Sequence, residues 1–175
     1  RVRSAVLLAL QPDGGGLRDG TVDRLIALAR ELAFAGHGDL AGWAHLAAAG
    51  LTVGVAPATG TDLLARAAAT TVGPLAEAAR GLVTGGLALA SGDRTAALDH
   101  HVAAHRTASG AGAAWLAFLA LVGQSEAAPE TYPACARAWE DLLGPALDSE
   151  PVRAVLARRQ TVEVVVLGAP LVRVH

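Results

Sequence analysis

From Thr21 onward the apolar positions recur at helical spacing. Leu25, Leu28, Ala29 and Leu32 lie three or four residues apart, so a helix from Thr21, its expected cap, to about Ala35 carries them on one face. Gly36-His37-Gly38 breaks the pattern, and Asp39 is placed to accept the free amide hydrogens of a second helix running through Ala49. Leu51 to Gly60, punctuated by Gly and Pro, reads as a connection, after which Thr61 or Asp62 starts a helix to about Thr70. Pro74 opens a long helix to Ser91, because proline suits a first turn whose amide has no partner. A Ser91-Gly92-Asp93 turn leads to a helix through His105, and past Gly110 and Gly112 the stretch Ala113 to Val122 is helical again. Thr131 is expected to cap a helix in which Tyr132, Ala136, Trp139 and Leu143 share a face, and Pro151 lies in the first turn of a last helix to about Arg159.

The two ends differ from this middle. Ser4 to Leu10 is an apolar run too short to assign to helix or strand, and Gln11 to Gly20 is a loop. Thr161 to Leu167 is β-branched and strand-like, Gly168-Ala169-Pro170 turns, and Leu171 to Val174 forms a second strand. The expected fold is therefore mainly α, antiparallel helical hairpins followed by a short β-hairpin. Its divisions are a connecting segment at 1–20, a helical domain at 21–160 and the hairpin at 161–175. Leu25, Leu28, Leu32, Leu87, Leu89, Leu98, Trp115, Leu119, Trp139 and Leu142 are expected to share one continuous core.

An internal repeat runs through the helical part. Leu32 to Ala41 echoes Leu87 to Ala96, aligned on Gly38-Asp39 and Gly92-Asp93 with the second copy one residue shorter at the turn. Gly85, Ala97 and Ala104, disposed around the Gly92-Asp93 turn, resemble the small-residue positions of a tetratricopeptide repeat, with His101 where the repeat often has an aromatic. The resemblance implies closely packed antiparallel helices that serve as a protein-interaction scaffold. Glu31 and Trp43 depart from it in the first hairpin. At the C-terminus, Val162-Glu163-Val164-Val165-Val166-Leu167-Gly168 with Leu171-Val172-Arg173-Val174 resembles the opening hairpin of bacterial transcriptional activators of the antibiotic-regulatory (SARP) type. That resemblance implies a winged-helix DNA-binding domain to follow.

Composition adds a setting. All fourteen basic residues are Arg, Met and Asn are absent, and Ile26 is the only isoleucine, a bias expected of a high-GC bacterial genome. A chain that opens at Arg1 is expected to be cut from a longer protein. The net charge of −2, with acids and arginines interspersed, gives no broad field for nucleic acid or anionic lipid. The uncharged stretch Thr107 to Ser125 raises the question of a membrane, but its Gly and Ala content favours a buried helix. The single cysteine, Cys135, excludes an internal disulfide framework and fits a cytoplasmic setting.

Candidate chemistry is confined to Asp99-His100-His101-Val102-Ala103-Ala104-His105. At about 100° per residue, His101 and His105 share a helical face with Ala97, Leu98 and Ala108, a spacing that suits a transition metal. A third ligand must come from another helix, and none is identifiable. Without lysine no Walker A loop exists, Ser109 lacks a nucleophile-elbow pattern, Cys135 has no evident base, and Glu140-Asp141 read as a solvated face. No cofactor is called for. The expectation is a helical-repeat interaction or signal-relay segment of a larger transcriptional regulator, non-catalytic and without direct DNA contacts. Its partners are another protein or other domains of the parent chain, or a second copy of itself. The alternative is a metal-binding bundle or enzyme centred on His101 and His105.

Overall fold

The computed structural model describes residues 20–150, 152, 153, 155 and 156. The N-terminal segment and the C-terminal β-hairpin expected above lie outside these residues. Within them are seven α-helices: α1 Thr21–Phe34, α2 Gly38–Thr52, α3 Pro57–Ala68, α4 Pro74–Ala90, α5 Arg94–Gly110, α6 Ala114–Ala127 and α7 Tyr132–Leu143, with short 3-10 turns at Pro129–Thr131 and Gly144–Asp148. Val152, Arg153, Val155 and Leu156 are helical too. No helix among the described residues is long and apolar enough to cross a membrane.

Three of the joints between helices are the same device. Gly36, Gly92 and Gly112 each take a positive φ, of 80°, 85° and 66°, a backbone that a β-carbon disfavours. At each, two amides turn back to bond the end of the preceding helix: His37 to Leu32 O at 2.8 Å and Gly36 to Ala33 O at 3.1 Å, Asp93 to Ala88 O and Gly92 to Leu89 O, Ala113 to Ala108 O and Gly112 to Ser109 O. This is the Schellman pattern, which satisfies carbonyls that the helix leaves open. In turn geometry it is Gly36-His37, not Gly38-Asp39, that occupies the place of Gly92-Asp93. Gly38 is already the first residue of α2, so Asp39 falls inside the first turn. There its charge complements the positive end of the helix dipole.

Other caps move likewise. α1 is preceded by Gly20 at φ 87°, which makes Thr21 its first helical residue rather than its cap. Asp93, read in the sequence only as part of a turn, is the carboxylate that caps a helix, accepting from Ala96 N at 3.0 Å. The Thr131 hydroxyl donates instead to Ala128 O at 2.7 Å, closing the 3-10 turn ahead of α7. The connection expected over Leu51 to Gly60 shrinks to four residues, because α2 continues to Thr52 and α3 starts at Pro57, where proline occupies the first turn.

Each helix packs against its neighbours in sequence, and α4 also packs directly on α2 and α6. α2 has no exposed residue, and α6 only Ala114. The outer helices are two-sided: α1 buries Ala29, α3 buries Gly60, Leu63 and Ala67, and α7 buries Cys135 and Trp139. The expected single core resolves into three clusters. The largest joins Trp43, Leu46, Leu63, Val83 and Leu116 with many alanines; a second gathers Phe118, Leu121, Trp139, Val152 and Val155; a third holds Ala29, Ala41 and Ala44. Phe118 makes tilted and edge-on ring contacts with Trp115 and Trp139, at 5.3 and 6.1 Å. Of the ten residues expected in the core only Trp139 is buried; Leu25, Leu32, Leu87, Leu89, Trp115, Leu119 and Leu142 are half-buried at its margin. Leu28 is exposed and Leu98 half-buried, because the buried line of α5 is Ala97, His101, Ala104 and Ala108, and one residue further round the helix is about 100° off that line.

Candidate functional site

The α4–α5 seam is built from residues with little or no side chain. A β-carbon on Gly81 would lie 3.1 Å from the Ala104 Cβ, so the two backbones approach at nearly the closest distance side chains permit. Gly85, Ala97 and Ala104, the small residues singled out in the sequence, are all buried here. Into this seam α5 inserts one large group, the His101 imidazole, which is 4% exposed.

Two glycines make room for it. A β-carbon on Gly85 of α4 would fall 2.7 Å from the ring, and one on Gly123 of α6 would fall 2.5 Å from it. The imidazole is thus clasped between two bare stretches of helix backbone, with Gln124 Nε2 donating to the His101 carbonyl at 3.3 Å. His101 Nδ1 is buried without a hydrogen-bond partner. Burial, reinforced by His100, lowers the His101 pKa to about 4. The ring is neutral at pH 7, well below the range suited to a general base working there. His105, one turn on, is partly buried, and its pKa is also lowered by burial.

The structure does not gather these histidines into a larger donor set. Among the described residues no group of three or more His, Cys, Asp or Glu side chains is placed to hold a metal ion. Asp99 is exposed, away from the ring. Ser109, Glu140 and Asp141 are exposed as well, and Cys135 is a buried free thiol 3.7 Å from Thr131 Oγ1. Trp43 and Trp139 are buried anchors, while Trp115 is half-buried with Nε1 unpartnered.

Sequence reasoning missed Gly123, the floor of the His101 seat. Its signal was a glycine inside an apolar helix, a position that costs about 1 kcal/mol against alanine unless a close approach needs it. It also missed the clamp on the α3–α4 joint, where Arg80 Nη1 donates to Thr71 O at 2.7 Å and to Thr71 Oγ1 at 3.0 Å. Across the next interface Arg94 Nη2 donates to Glu126 O at 2.9 Å, tying the start of α5 to the end of α6. These bonds fix helices against one another and present no reacting group. No protein-family model, curated protein or solved structure matches the chain.

Proposed function

We propose that this chain is a helical-repeat interaction or signal-relay segment of a larger bacterial transcriptional regulator. The observation that carries the reading is the packing order: helices follow one another in space as in sequence, three of the joints between them use one turn, and α4 is stacked directly on α2 and α6. Such an array displays surface and transmits displacement from helix to helix without supplying reactive groups. Because α2 is enclosed, partner contacts fall on outer helices and joints, where Phe34, Val55 and Val72 project. The partner is another protein or a neighbouring domain of the parent chain. The regulatory assignment rests on the resemblance of Val162 to Val174 to the opening hairpin of SARP-type activators.

The test extends the protein beyond His175 and compares it with the 175-residue chain on promoter-derived duplexes at fixed salt. The longer protein is expected to carry a helix-turn-helix and bind a defined repeat, while the present chain binds weakly and without sequence preference. Absence of a helix-turn-helix downstream, or specific binding by the present chain alone, would defeat the regulatory reading.

A further inference from the structure

One basic side chain from each of three consecutive helices converges on the outer face of the α1–α2–α3 layer. Two contacts fix the register. Ala29 of α1 clusters with Ala41 and Ala44 of α2, and a β-carbon on Gly42 of α2 would lie 3.3 Å from the Ala67 carbonyl of α3. Arg30 follows Ala29, His45 follows Ala44 and Arg66 precedes Ala67, so the three stand within about one helical turn of the same level. His45 is the one half-buried position between the enclosed runs Ala41–Ala44 and Leu46–Ala49, and Arg30 and Arg66 are exposed on the helices to either side.

The electrostatics agree with this placement. Burial, then Arg66, then Arg30 hold the His45 pKa below its usual value. None of the other charged groups on the helices packed against α2, namely Asp23, Arg24 and Glu31 on α1, Asp62 on α3, and Glu77 and Arg80 on α4, contributes to that shift. Neither guanidinium makes a hydrogen bond or ion pair with a described residue. Two guanidiniums thus stand near an imidazole, and neither is engaged by the acid beside it on its own helix, Glu31 or Asp62.

We propose that Arg30, His45 and Arg66 form a binding site for a phosphate monoester. Each guanidinium presents a planar fork of N–H donors, and the imidazole supplies a third donor between them. A single fork satisfies a carboxylate; two forks and a third donor match the three terminal oxygens and double charge of a phosphate monoester. The bound dianion offsets the repulsion among the three groups and draws a proton onto His45. The site lies away from His101 and does not depend on the regulatory reading above.

The probe is phenyl phosphate, titrated into the 175-residue chain while the His45 ring signals are followed by NMR. Saturable binding is expected, with an upward shift of the His45 pKa. Arg30→Gln and Arg66→Gln should each weaken binding at least about tenfold, the loss expected for one charge-assisted contact. Arg24→Gln, on the same helix as Arg30 but about 9 Å along its axis, should leave it unchanged. Both arginines of the site are exposed, and an unaltered melting curve confirms that each variant folds. A phosphoserine peptide distinguishes the sources: tighter binding than phenyl phosphate points to a phosphorylated protein, equal binding to a small phosphate ester. No response of His45 to phenyl phosphate, equal weakening by Arg24→Gln, or benzoate binding as tightly as phenyl phosphate would each overturn the proposal.

Discussion

The hairpins α1–α2 and α4–α5 share a turn and differ in their seams. Both turns place a glycine at positive φ and use the same two backward hydrogen bonds. The α1–α2 seam is closed by Ala29, Ala41 and Ala44 with Leu32 beside them, a cluster drawn from those two helices. The α4–α5 seam holds a histidine, and one wall of its seat belongs to α6. A turn is a local object, set by a few residues and their backbone preferences. A seam that contains a bulky polar group is not local, since the room for it comes from a third helix and disappears if that helix is displaced. The α4–α5–α6 unit should therefore respond as one body to changes at His101, while the α1–α2 hairpin should not feel them.

The largest expected effect is the dependence of stability on acid. The His101 pKa is about 4 in the folded chain against an ordinary value of 6.5. Between those values the unfolded chain takes up a proton that the folded chain refuses. Stability contributed by the neutral ring is therefore full above about 6.5, falls as the pH is lowered toward 4 and levels off below that. The loss is on the order of 3 kcal/mol across this window. His45 and His105, also depressed, act in the same direction. Urea unfolding at a series of pH values, with His101→Leu beside the wild type, reads the contribution of this one group. The slope should flatten in the variant, and an unchanged slope would place the acid sensitivity elsewhere.

Next in size is the difference between the two turns. Asp93 and His37 occupy the same cap position, but only Asp93 accepts a side-chain hydrogen bond from its helix. Asp93→Ala should lower stability by about 1 kcal/mol, whereas His37→Ala should change it by no more than about 0.5 kcal/mol. His37→Asp should stabilise by adding the missing cap. Chemical denaturation of the three variants decides this, and equal losses at Asp93 and His37 would contradict the assigned equivalence of the turns. The smallest effect is expected at Phe34, the last residue of α1, which is 97% exposed. Phe34→Ser should leave the midpoint within about 0.5 kcal/mol of wild type, and a larger loss would mean that this ring is covered in the folded chain.

What could be read from the sequence follows the same division. The helices and their order emerge from apolar spacing and from Gly and Pro, because these act within a few residues. The alignment on Gly38-Asp39 missed the matching place in the turn because a Gly-Asp pair looks alike whether it ends one helix or begins the next, and only the sign of φ separates Gly36 from Gly38. Leu98 was expected to point inward because helical spacing sets it on the broad face that also holds Ala97, His101 and His105. The seam instead selects Ala97 and Ala104, whose smallness lets the helices close. His101 was recognisable as a candidate from its chemistry, but its surroundings were not: Gly85 lies sixteen residues before it and Gly123 twenty-two after. The group formed by Arg30, His45 and Arg66 escaped for the same reason, each residue being ordinary on its own helix.

The central claim, that one imidazole seated on bare backbone holds α4, α5 and α6 together, is tested most directly by a double-mutant cycle between His101 and Gly123. In the wild-type background Gly123→Ala drives a methyl group into the ring and should cost about 1 to 3 kcal/mol. With His101→Ala the space is free, and the same substitution should become neutral or stabilise by up to about 1 kcal/mol through helix propensity. Strong coupling of this sign, measured by urea denaturation at pH 7, is the predicted result. Additive effects of the two substitutions would show that the ring and α6 do not share the seat, and would contradict the account.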